Sequence, residues 1–245
     1  MNQPLLPEDR SRLEQNLREV LQRLRTATER GGRTADHCRL LPVVKRMPDA
    51  VVEALLELGQ VDLAESRVQA LLARPESLRQ AARFHMIGPL QTNKARPAVS
   101  NFHSFHALDS DRLGTVLERE SARLEITWPV FLQVILGGED QKRGCSLNGL
   151  PQLCRDIAHH DHLEVCGVMG MPPKVSDPEQ CRPLFHRLRE RTLELLAAGD
   201  LPEGARELSM GMSADFEVAA EEGATVVRVG SGLFRGMFES SQAVR

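Results

Sequence analysis

The chain has 245 residues, 41% hydrophobic and 27% charged, and its 31 basic and 34 acidic side chains leave a formal net charge of −3. That length admits one α/β barrel or two smaller domains, and the composition is that of an ordinary globular protein. The charge balance excludes a broad electrostatic attraction to nucleic acid or an anionic membrane, and no window approaches the roughly 18 uninterrupted apolar residues of a spanning helix.

The amino terminus, MNQPLLPEDR, has no basic segment followed by an apolar one, so a cytoplasmic protein is expected. Its five cysteines (Cys38, Cys145, Cys154, Cys166, Cys181) are odd in number, widely spaced and without a CxxC pair, which predicts free thiols. Leu13, Leu17, Val20, Leu21 and Leu24 recur at helical spacing and predict an amphipathic helix over 8–28, broken by GGRTADH.

Short β-like runs then alternate with helical stretches: LPVVK (41–45), VDLAE (61–65), FHMIG (84–88), SFHALD (104–109), PVFLQVI (129–135), EVCGVM (164–169), ARELSM (205–210) and TVVRVG (225–230). Between them, a helix from Asp49 to Leu58 is stopped by Gly59, another runs from Leu113 to Leu124, Leu147, Leu150, Leu153 and Ile157 share a face, and Ser213 is placed to cap a helix running to Gly223. Eight such repeats in a chain of this length predict a single (β/α)8 TIM barrel spanning 1–245 with an added amino-terminal helix. An open doubly wound sheet fits the same alternation.

In a barrel, functional groups gather where strands end. Lys45 is expected at the end of strand 1, Glu65 of strand 2, Met169 of strand 6, Ser209 and Met210 of strand 7, and Arg228 to Ser231 of strand 8. A strand-end lysine is either a snorkelling side chain or an imine-forming amine, whose neutral form burial in a barrel mouth favours. The segment 207–236 carries Gly230-Ser231-Gly232 after strand 8, and loops after strands 7 and 8 are the recurrent phosphate site of this architecture. A third segment, FHMIGPLQTNKAR (84–96), places polar residues directly after a strand, and its His85 is expected as a core histidine rather than an acid or base. The eight histidines show no HExxH spacing, so no metal is predicted.

LLPVVKRMPDAVVEALLELGQVDLAES, FHMIGPLQTNKAR, QKRG, VCGVMGMP and LSMGMSADFEVAAEEGATVVRVGSGLFRG together resemble the pyridoxal 5′-phosphate (PLP) homeostasis family, of the YggS/PROSC type. Its fold is the barrel domain of alanine racemase without the second domain. The resemblance implies that Lys45 holds the PLP aldehyde as a Schiff base, that Ser209, Gly230 and Ser231 surround its phosphate, and that Arg228 lies near ring or phosphate. Asn93, Met210 and Gly211 match motif positions lining the mouth. The chain departs from the family at VKRMP, where SKTKP is common, and at LAESRVQ, where FGENYVQ is common; Ser66 thus replaces an asparagine in the strand 2 wall.

The resemblance further implies a carrier in vitamin B6 and amino/keto acid balance, with no catalytic residue, a monomeric state, and apo PLP-dependent enzymes as recipients. The alternative is a racemase-like enzyme exchanging a Cα proton between two bases. Related racemases set a tyrosine opposite the lysine, and this chain contains none. Cys145 or His85 would have to substitute.

Overall fold

The computed structural model describes residues 4–137 and 145–238; the QKRG segment lies outside them. Helix α1 (Pro7–Arg30) is followed by β1 (Arg39–Pro42), α2 (Asp49–Glu57), β2 (Asp62–Glu65), α3 (Val68–Leu72), α4 (Glu76–Ala81), β3 (Arg83–Met86) and α5 (Ala95–Asn101). Then come β4 (Ser104–Leu108), α6 (Asp111–Arg123), β5 (Trp128–Ile135), the two-residue β6 (Cys145–Ser146), α7 (Leu150–Ile157), β7 (Leu163–Met171), α8 (Arg182–Ala198), β8 (Glu207–Met212), α9 (Phe216–Glu221) and β9 (Val226–Val229).

The strand order is β1-β9-β8-β7-β5-β4-β3-β2, with β6 appended to β5, and every pairing is parallel. The ends of that order meet: Val43 bridges Ala64, and the Val44 N–H donates to the Ala64 carbonyl at 2.9 Å. A doubly wound sheet leaves two free edges; this ring leaves none, so the fold is a (β/α)8 barrel with an amino-terminal helix.

Alternation along the strands sorts side chains between two cores. Leu63, Phe84, Phe105 and Trp128 belong to the large core with Leu55 and Phe185 of the surrounding helices. The Trp128 indole satisfies its one donor on the Phe102 carbonyl at 2.8 Å. Inside the barrel, Leu41, Val43, Ala64 and Val226 form a separate small cluster. Beside it the interior is polar: His85, Ser104, His106, Ser209 and Arg228 are all buried.

Helix α1 starts on Pro7 with Glu8 and Asp9 in its first turn, the favourable pairing of ring geometry and dipole. Its buried face carries Leu13, Leu17, Val20 and Leu24. It rests on α9, where the Arg23 guanidinium stacks over Phe216 and pairs with Glu217. Asn16 donates to the carbonyls of Leu233 and Arg235, both at 2.9 Å, tying α1 to the segment after β9.

Of the strand ends that differ from the sequence expectation, three bear on the site. Strand β7 runs on to Met171 and β8 to Met212, because β5 and β9 respectively offer them partners beyond the apolar runs. β1 is shorter: after Val43 and Val44 spend their N–H groups on Val229 and Ala64, the chain turns through Arg46 at φ 65°. Lys45 is therefore the first residue of a turn, and it is exposed rather than buried.

Candidate functional site

At its last residues β8 bends through Gly211, whose φ of 92° is left-handed and where an added Cβ would lie 2.5 Å from the Ala219 Cβ. Ser213 follows, but does not cap α9. Asp215 holds the N-cap position, and its carboxylate accepts the Met212 N–H at 2.5 Å. The Ser213 hydroxyl oxygen instead accepts the N–H groups of Gly230 and Gly232, each at 3.2 Å. Two backbone donors and a hydroxyl thus converge between the last two barrel loops. Ser231 is exposed at the tip of that turn. A Cβ at Gly230 would approach Val43 at 3.4 Å, and one at Gly232 would approach Val229 at 3.2 Å.

Arg228 projects from β9 into the barrel interior. Its Nη1 donates to the Ser209 carbonyl at 2.5 Å and to the Ser209 hydroxyl at 2.8 Å, and its Nη2 to the Gly170 carbonyl at 3.0 Å and Met171 Sδ at 3.5 Å. All four acceptors are neutral. Burial, opposed only by the charge of Asp215, lowers the guanidinium pKa to about 10. A buried cation among neutral acceptors favours an anionic or electron-rich ligand.

The turn carrying Lys45 is braced from behind. Arg74, on the segment after α3, donates to the Val44 carbonyl at 3.1 Å and the Met47 carbonyl at 3.3 Å, fixing both ends of the turn. Its other amino group binds Asp49 at 2.8 Å, and Glu65, at the end of β2, lies 3.8 Å from the amino group that holds the carbonyls. Glu65 is completely buried; one oxygen accepts the Ser66 N–H at 2.6 Å and the Arg67 N–H at 3.3 Å, while the other has no hydrogen-bond partner. Ser66, half-buried, touches Gly88: a Cβ there would fall 2.2 Å from the Ser66 carbonyl.

The rim therefore brings together the Lys45 turn, Ser66 and the Gly230–Gly232 turn, with Val43 between the first and last. Two other predicted residues, Ser209 and Met210, are placed differently. Ser209 is in the barrel interior, its hydroxyl shared by Arg228 and His106 Nδ1 at 3.0 Å, so the hydroxyl beside the glycine turn is that of Ser213. Met210 is fully buried, and the Cβ position of Gly170 points toward both Met210 and Leu188 of α8, which places Met210 outside the barrel instead of lining its mouth. Asn93 is exposed on the loop after β3. His85 is a core histidine as expected, bonded to Ser104 at 2.7 Å and Asp62 at 2.9 Å. The cysteines are free, and burial raises the Cys145 thiol to about 12, out of range for a base at neutral pH. Among the described residues no cluster could hold a metal ion. No helix is long and apolar enough to cross a membrane.

Arg74 and His106 were not singled out by sequence reasoning, and Ser213 was read there as a helix cap. Ser213 carried a visible cue, a serine between a strand and a helix, that matched capping equally well. His106 sits two residues from Ser104 in a strand that otherwise reads apolar, and that polar alternation marks an interior-facing pair.

Residues 9–237 match the alanine racemase N-terminal domain model. A pyridoxal phosphate homeostasis protein of Aquifex aeolicus is 36% identical over 90% of this chain and 96% of its own length, and one of Pseudomonas aeruginosa is 34% identical over 91% and 95%. Among solved structures, a protein of Bifidobacterium adolescentis (29% identical) superposes with a TM-score of 0.89 over 95% of this chain and 98% of that one. PipY of Synechococcus elongatus with PLP bound, 32% identical, gives 0.71 over 81% and 92%. With the closed parallel barrel and its rim of glycine, serine and lysine, these matches show that the chain belongs to the pyridoxal phosphate homeostasis protein family, built on the alanine racemase N-terminal domain.

Proposed function

We propose that this protein binds PLP as a Schiff base on Lys45 and serves PLP homeostasis as a carrier, without catalysis of its own. The observation that carries the reading is the cradle of Gly230 N–H, Gly232 N–H and the Ser213 hydroxyl, set against Val43 two residues before Lys45. The donor set suits a phosphate: two glycine N–H groups with no side chain in the way, which a phosphate would take over from the Ser213 oxygen, the Ser213 O–H, and a buried guanidinium whose own acceptors carry no charge. When bound, the cofactor supplies an aldehyde that condenses with a neutral amine, releasing one water.

The protein's own groups have separable tasks. The glycine turn and Ser213 hold the anion, Arg228 offers positive charge from the barrel interior, and Arg74 keeps the Lys45 backbone in place. Exposure of Lys45 suits exchange, since an amine at the rim is open to water and to competing amines. Racemisation needs a second base facing the lysine; tyrosine is absent and the Cys145 thiol is held protonated.

The test is a visible spectrum of protein loaded with PLP, before and after borohydride. Loss of colour with the cofactor mass fixed on Lys45 is expected, and Lys45→Ala abolishes fixation. A label on another lysine overturns the assignment. Deuterium wash-in at Cα of a panel of amino acids, at ordinary enzyme rates of about 1 per second or faster, overturns the carrier reading.

A further inference from the structure

The barrel interior contains one unbroken series of polar contacts. Arg228 Nη1 meets Ser209 Oγ at 2.8 Å, Ser209 Oγ meets His106 Nδ1 at 3.0 Å, and His106 Nε2 meets Ser104 Oγ at 3.1 Å. Ser104 Oγ then meets His85 Nδ1 at 2.7 Å, and His85 Nε2 meets Asp62 Oδ1 at 2.9 Å. It runs from the rim-side guanidinium to a carboxylate at the start of β2, on the barrel floor.

Its two ends fix its direction. A guanidinium only donates, so Ser209 accepts from Arg228 and turns its own O–H to His106 Nδ1. With one ring proton, His106 carries it on Nε2 and donates to Ser104. From the far end, a carboxylate only accepts, so His85 carries its proton on Nε2 and takes the Ser104 O–H on Nδ1. Both routes give Ser104 the same part, acceptor from His106 and donor to His85, and every link is satisfied. His106 is locked further by stacking on Phe131, with ring centroids 4.0 Å apart.

We propose that Asp62, His85, Ser104, His106 and Ser209 act as positioning residues, a directional hydrogen-bond line that orients Arg228 and supports its charge for the cofactor. This role rests on the reading of Arg228 as a PLP-facing group. Every dipole in the line turns its negative end toward Arg228. Asp62, itself paired with Arg83 at 2.6 and 2.7 Å, fixes the orientation of His85, and the oriented dipoles, rather than a free carboxylate charge, support the cation near the rim without crowding the ligand. A direct carboxylate partner would compete with the phosphate for that same cation.

The experiment has two parts. In cofactor-free protein, nitrogen-15 NMR should show His106 neutral and protonated on Nε2; a charged ring or an Nδ1–H tautomer overturns the line whatever the cofactor does. In PLP-loaded protein, Ser209→Ala should shift the visible absorption band and weaken retention about fivefold, the equivalent of roughly one ordinary hydrogen bond. Asp62→Asn, which touches no ligand, should shift the band in the same direction, and should add nothing in the Ser209→Ala background. His85→Gln serves as a second interruption should Asp62→Asn fold poorly. A floor substitution that leaves band and retention unchanged, or whose effect adds fully to Ser209→Ala, overturns the proposal. Wild-type protein that forms no covalent link with PLP overturns the reading of Arg228 itself, a failure the NMR result separates from that of the line.

Discussion

The His106 imidazole is wholly buried, and desolvation, with smaller contributions from His85 and Arg228, holds its pKa well below 6.5. Below pH 6.5 the unfolded chain binds a proton at this residue that the folded chain refuses, so stability falls as the solution is acidified. The loss is at most about 1.4 kcal/mol per pH unit, down to the folded pKa. Urea midpoints between pH 7.5 and 5.5 should therefore decline. His37 and His103 are lowered too, by burial first, so the contribution of His106 is read as a difference. His106→Gln should flatten the decline; the same slope in both proteins contradicts the account. At the rim, Ser213→Ala should weaken PLP retention about tenfold by removing one phosphate hydrogen bond while leaving the Lys45 link reducible, measured by dialysis and borohydride trapping.

Turns, more than strands, decide where the functional groups stand. Arg74 holds Val44 and Met47 by their carbonyls and lies beside a buried carboxylate, so Arg74→Ala should destabilise the chain by about 3 kcal/mol. Arg74→Lys should restore part of this, with the denaturant midpoint as the readout. Gly211→Ala meets both a left-handed φ and the Ala219 Cβ, and should cost about 2–4 kcal/mol by the same measurement. These positions explain what the sequence revealed and what it hid. All eight barrel strands were legible, because period-2 burial and turn residues are local, and so was the placing of Lys45 and the glycine turn at one rim. The exposure of Lys45 was hidden, since β1 ends where its hydrogen-bond partners on β9 and β2 run out. The exchange of roles between Ser209 and Ser213 depends on Ser209 facing the barrel interior and on where β8 ends before Ser213, and the irregular register of β8 against β9 conceals both from a linear reading.

At the scale of the whole molecule, α1 is more than an appendage to the barrel. Asn16 and Asp9 grip the chain after β9, Asp9 accepting the Phe238 N–H at 2.9 Å, and so anchor the far side of the glycine turn. Asn16→Ala leaves one buried and one part-buried carbonyl short and should cost about 1–3 kcal/mol in chemical denaturation. It should also loosen PLP retention, although Asn16 lies outside the rim. A second whole-molecule consequence comes from the join between β1 and β2. Each other pair of neighbours in the ring shares two or more register pairs, whereas among the described residues β1 and β2 are joined by the single bridge Val43–Ala64 and the Val44 N–H. A hoop fastened by so short a clasp opens there first, and amide hydrogen exchange at Val44 should outpace that at the centre of β5. The clasp adjoins the lysine turn, so a brief parting of the wall would give an incoming amine its doorway.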